Sequence, residues 1–209
     1  MNFGILVFDD VEELDFVGPW EMATMWSKVA EGPSECLLVA QSPGPVRCAK
    51  GLSINPHFSF LDCPPLDYLL VPGGQGTRAE VSNPVLLDFV ATQAKTCQAV
   101  LSVCTGAFLL HAAGLLAGKK ATTHWGSLDR LRALGDVEVV EERYVQDGCI
   151  WTSAGVSAGI DLMLAFIAST AGADAAGKVQ FSAEYYPSVA RYGGYESHAQ
   201  APAYLKPKA

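Results

Sequence analysis

Basic residues are scarce in this chain. Fourteen Lys and Arg stand against 22 Asp and Glu, a formal net charge of −8. A nucleic-acid footprint needs a clustered positive patch, so no nucleic-acid partner is expected. Long apolar runs are lacking too. No stretch approaches the ~18 consecutive apolar residues of a membrane span, so no membrane role is expected. The first residues, Met1 to Asp10, carry no basic segment and meet acid at Asp9, unlike a secretory leader. These absences point to a cytoplasmic protein. None of the six cysteines, Cys36, Cys48, Cys63, Cys97, Cys104 and Cys149, has Cys-x-x-Cys spacing, and the four histidines are scattered. That pattern gives a metal site no support. In a cytosolic chain of this length it does not read as a disulfide framework either.

What is present is apolar mass. Half of the 209 residues are hydrophobic and 17% are charged, enough for one sizeable core and too apolar for disorder. Short apolar runs at Phe3–Phe8, Cys36–Ala40, Asp67–Val71 and Ala99–Val103 read as buried strands. Helical patterns follow at Phe16–Met25, with Pro19 placed in the first turn, and from Asn83-Pro84 to about Thr96. Further helices are predicted at Ala107–Ala113, Trp125–Leu134, Gly155–Ala171 and Ala175–Tyr185. Val46–Phe60 reads as a small hairpin. Asp147-Gly148 turns a second one between Val145 and Ile150. Strands alternating with helices predict an α/β fold: a three-layer sandwich with a mostly parallel sheet and helices on both faces. With no linker or repeat, residues 1–209 form one domain, with a core of about 3–187 and a tail from 188 to 209.

The chemistry concentrates where strands end. Ala99–Val103 runs into Cys104-Thr105-Gly106 and at once into a helix. Such an elbow lifts its apex side chain above the carboxyl end of the sheet. A thiol at a helix N-terminus is expected to have a lowered pKa. Val71-Pro72-Gly73-Gly74 also ends a strand. Its glycines allow either a plain turn or an oxyanion hole built from the Gly74 and Thr105 N–H groups. Asp15 follows the first strand in apolar company. It reads either as the N-cap of the next helix or as a buried acid with a raised pKa suited to proton transfer. His124, beyond the elbow helix, is a candidate for assisting a thiolate, although such a residue is commonly structural. Trp20 and Trp125 are candidates for lining an apolar pocket or for core packing. Gly155 and Val156 lie in Ser153–Gly159, whose small residues allow close approach to the elbow or simply tight helix packing.

Taken in order, Leu14–Pro19, Leu66–Gly74, Ser102–Gly106, Ala121–Trp125 and Gly155–Asp161 resemble the ThiJ/PfpI superfamily. The resemblance covers about Phe3 to Pro187. It implies a flavodoxin-like, class I glutamine amidotransferase-like fold. Within the superfamily the chain is most similar to the isonitrile hydratase branch, lyases that add water to an isocyanide to give an N-substituted formamide. Asp15 matches that branch, whereas many relatives have Glu there. Thr105 stands where protease-like members have His, which argues against peptidase activity. The resemblance implies Cys104 as nucleophile, Asp15 as its acidic partner, a homodimer, and no cofactor. Such small-molecule substrates are neutral, so a small pocket with few charges is expected. Two other readings stay open: a glyoxalase III-like enzyme acting on 2-oxoaldehydes, and a non-enzymatic cysteine redox or ligand sensor.

Overall fold

The computed structural model describes residues 1–188, 190 and 192–206. Eleven strands and seven helices follow one another among them. The first half contains β1 (Asn2–Leu6), α1 (Glu13–Val29), β2 (Glu35–Ala40), β3 (Val46–Arg47), β4 (Ser53–Ile54), β5 (Phe58–Ser59), β6 (Tyr68–Val71), α2 (Thr77–Glu80) and α3 (Pro84–Ala94). The second half contains β7 (Ala99–Val103), α4 (Gly106–Ala112), β8 (Lys120–Ala121), α5 (Leu128–Arg132), β9 (Glu138–Val139), β10 (Tyr144–Asp147), β11 (Ile150–Ser153), α6 (Ala158–Ala171) and α7 (Ala173–Ser182).

Seven strands form one sheet in the order β10-β11-β7-β6-β1-β2-β5. All pairings in it are parallel except β10 with β11. The central strands read as unbroken apolar runs because both sheet faces are covered; every residue of β6 and β7 is buried. Helices α1, α6 and α7 pack on one another, and α4 packs against α2 and α3. Phe166 of α6 meets Tyr68 and Trp151 edge-on, with ring centroids 5.1 and 5.7 Å apart, and Trp26 of α1 joins them. Burying each such ring contributes about 1.5–3 kcal/mol. The expected α/β sandwich is therefore the observed fold.

Several local expectations shift. Helix α1 begins at Glu13, so Pro19 falls inside the helix rather than in its first turn. Its missing N–H leaves the Asp15 carbonyl without its usual helical donor. The ring is held by Gly159 of α6, where a Cβ would lie 2.9 Å from Pro19 Cγ. The helix predicted over Trp125–Leu134 divides into a 3-10 turn at Trp125–Ser127 and α5. His124 Nδ1 accepts the Gly126 N–H and tightens that first turn. Helix α6 starts at Ala158, not Gly155, because Val156 has φ +52° and cannot continue a helix. Asn83 caps α3 as its sequence suggests, accepting from the N–H groups of Val85 and Leu86. Val46–Arg47 and Ser53–Ile54 form the antiparallel pair expected in that region, while Phe58–Ser59 joins the edge of the main sheet. In the predicted tail, residues 189, 191 and 207–209 lie outside those described.

Candidate active site

Cys104 occupies the step between β7 and α4 with φ +57°, a left-handed conformation that costs a non-glycine residue about 1–3 kcal/mol. The surrounding chain holds it there. Its N–H donates to the Ser153 and Ala154 carbonyls at 3.2 and 3.1 Å. Its carbonyl accepts the Thr123 hydroxyl at 2.7 Å. Gly106, the first residue of α4, has no room for a side chain, because a Cβ would lie 2.1 Å from the Val71 carbonyl. The elbow read from the sequence is thus present, and the thiol lies at the floor of a cleft, 7% exposed.

Asp15 is fully buried beside it. It is not an N-cap: the cap position belongs to Glu12, and Asp15 lies inside the first turn of α1. Its Oδ2 accepts the Gly73 N–H at 2.9 Å. Its Oδ1 is buried with no conventional hydrogen-bond partner, and the Cys104 thiol and Val156 N–H face the carboxyl at longer range. Burial pushes the carboxyl up to about 7, although the Gly73 N–H, the Cys104 thiol and the Val156 N–H all favour its charged form.

The thiol behaves contrary to expectation. Burial, then the Asp15 charge, push it up to about 12, against the Thr105 and Val156 N–H groups and the Thr105 hydroxyl. Desolvation is the largest cause, and the helix behind the thiol has only seven residues. The two groups are coupled: each proton lost from one makes the next harder to remove from the other. Both shifts favour the protonated, uncharged forms of the pair.

The expected oxyanion pair is not assembled. The Gly74 N–H donates to Thr105 Oγ1 at 3.1 Å, and the Thr105 N–H is directed to the sulfur. Thr77 adds a second hydroxyl, 3.1 Å from Thr105 Oγ1, and donates to the Gly74 carbonyl at 2.8 Å. The 73–77 loop is thereby tied to Asp15 on one side and to Thr105 on the other. The N–H groups that do face the sulfur belong to Thr105 and Val156.

The cleft has a volume of about 290 Å³. Val156 and His124 line it. Partial burial lowers the His124 pKa, and its Nδ1 is committed to Gly126. Gly155 supports that ring from behind; a Cβ there would lie 2.1 Å from His124 Cδ2. The tryptophans do not line this cleft. Trp20 stacks on His57 at 5.6 Å, and Trp125 lines a separate apolar hollow with Tyr195, Pro202 and Leu205. Their reach is spent on those neighbours. Nor is the cleft poor in charge: Glu12 and Arg78 contribute to its wall, beside the neutral amide of Gln75. The sequence gives no signal for Thr77, Gln75 or Arg78, since only the path of the loop after β6 brings them to the elbow. No group of His, Cys, Asp and Glu among the described residues is arranged to hold a metal ion, and all six cysteines are free thiols. No helix among the described residues is long and apolar enough to cross a membrane.

A mostly parallel α/β sheet with a cysteine elbow facing a buried carboxyl defines the class, and the comparisons agree. The chain belongs to the DJ-1/PfpI family, which it matches over residues 2–169. It is 40% identical to the isonitrile hydratase of Pseudomonas putida over 188 residues, covering 90% of this chain and 80% of that enzyme. A glutathione-independent glyoxalase of Caenorhabditis elegans is 25% identical over 166 residues, covering 78% and 85% of the two chains. The crystal structure of a ThiJ/PfpI family protein from Pseudomonas syringae superposes with a TM-score of 0.85 at 35% identity, covering 98% of this chain and 82% of that one.

Proposed function

We propose that this protein is an isonitrile hydratase, a lyase that converts an isocyanide and water into an N-substituted formamide. The observation that carries the reading is Asp15 Oδ1, a buried carboxyl oxygen with no fixed partner, facing the cysteine at the elbow. An isocyanide carbon needs a nucleophile and a proton at the same atom, and this pair supplies both. Cys104 sulfur bonds to the terminal carbon of R–N≡C, and protonated Asp15 delivers its proton to that carbon. The product is a thioimidate, Cys–S–CH=N–R, and Asp15 recovers the thiol proton. Water then adds to the same carbon, the C–S bond breaks, and R–NH–CHO leaves with the thiol restored. The Thr105 and Val156 N–H groups stabilise charge on sulfur as it is expelled. General acid–base help of this kind contributes about 100- to 10,000-fold, and the covalent route divides one addition into two easier steps.

Similarity to the Pseudomonas putida enzyme supports the activity, and the raised carboxyl pKa supports the proton role. On the same reading the protein works as a homodimer through the half-exposed apolar residues Leu14 and Val17 of α1; sedimentation tests this. The test of function is incubation with a simple isocyanide. Formamide should accumulate, and intact-mass analysis of quenched samples should find one adduct on Cys104. Turnover by Cys104→Ala refutes the mechanism. A second reading, glyoxalase chemistry, draws on the Caenorhabditis elegans relative and on His124 in the cleft wall. Methylglyoxal assayed beside the isocyanide separates the two: hydration of the isocyanide with no lactate formed from methylglyoxal supports the first.

A further inference from the structure

Arg78 lines the same cleft as Cys104. It lies one residue beyond Thr77, whose buried hydroxyl fixes the loop to Thr105, so its backbone is anchored to the elbow. Arg132 and Arg143 are held by carboxylates, and Arg130 lies over the Phe108 ring. The Arg78 guanidinium makes no ion pair or side-chain hydrogen bond with any described residue. Arg47 also lacks a carboxylate partner, but it borders a different hollow, with Asp9 and Asp10. The one acid in the catalytic cleft's outer wall, Glu12, is paired with Lys50. The cleft therefore presents one uncompensated cation with a fork of donors suited to a planar anion.

We infer that Arg78 selects substrates bearing a carboxylate: the reactive carbon sits over Cys104 and the carboxylate is held by the guanidinium. This rests on the hydratase reading for the identity of the reactive group, an isocyanide, but not for the anion preference. A neutral, wholly apolar isocyanide leaves the Arg78 donors to water, whereas an isocyano acid engages them.

Two paired reagents separate the parts. Iodoacetate and iodoacetamide both alkylate a thiol, with iodide leaving and the thiol proton released, and differ in one negative charge. Their rates at Cys104, read by mass spectrometry at low ionic strength, give a charge-preference ratio. The ratio should be about tenfold higher in the native protein than in Arg78→Gln, the effect of one charge-assisted hydrogen bond. It should be intermediate in Arg78→Lys, and should collapse in about 0.5 M salt because the guanidinium is exposed. An equal ratio in native protein and Arg78→Gln overturns the inference. So does a Cys104 that neither reagent reaches, since a cleft closed to both cannot select between them. In the second pair, isocyanoacetate and its methyl ester, the ratio of kcat/KM should fall by a similar factor in Arg78→Gln. Turnover of neither isocyanide, with the alkylation preference intact, removes the hydratase reading and leaves the role of Arg78 standing.

Discussion

Asp15→Asn isolates the buried carboxyl. Asn keeps the size and the acceptor for the Gly73 N–H, but cannot ionise. Unfolded, Asp15 titrates at 3.8; folded, at about 7. A carboxyl whose pKa rises on folding binds its proton more tightly in the native state. Its contribution is fully favourable below pH 3.8 and is lost as pH climbs to about 7. A rise of roughly three pKa units at about 1.36 kcal/mol each gives roughly 4 kcal/mol. Other acids titrate identically in both proteins, so the difference in unfolding free energy between variant and native protein should rise by about that amount from pH 4 to pH 8, and flatten above. Urea unfolding at half-unit pH intervals measures it. Activity should move oppositely, falling about 100- to 10,000-fold as the proton donor is lost. A stability difference independent of pH would refute the claim that Asp15 is a neutral acid awaiting substrate.

Cys104→Ala should abolish formamide production while leaving the circular dichroism melt nearly unchanged, because Ala suffers the same φ +57° strain as Cys. Gly73→Ala should cost about 1–3 kcal/mol and nearly all activity, since the new Cβ would lie 2.6 Å from Thr105 N and 2.8 Å from Asp15 Oδ2; unchanged kinetics would contradict the packing. Thr77→Val removes two hydrogen bonds and should destabilise by about 1–3 kcal/mol. Its kcat should fall more than its KM rises, because the hydroxyl positions Thr105 rather than the substrate.

Much of this was legible in the sequence because it depends on local rules. Uninterrupted apolar runs fix β6 and β7 as central strands, and a cysteine set between a strand and a helix marks the elbow. Asp15 is half legible. Its place after β1 is visible, but the choice between cap and buried acid turns on where α1 starts, and Pro19 suggested a later start than the real one. The thiol pKa was misread because a helix dipole can be seen in sequence and the depth of burial cannot. The loop after β6 is legible as a turn or an oxyanion hole, and not as the tie between Asp15 and Thr105. Its partners Thr105 and Asp15 are 28 to 58 residues away in the chain, and strand register alone brings them together.

That loop follows β6, which lies between β1 and β7. The acid follows β1 and the thiol follows β7, so the neighbour relation of three strands is what makes them a pair. A chain with any one of the three displaced carries an unremarkable carboxylate and a cysteine with no acid at hand. Neutral-range titration of Asp15 is then a built-in report that the middle of the sheet has closed, and it could be followed during refolding without any substrate.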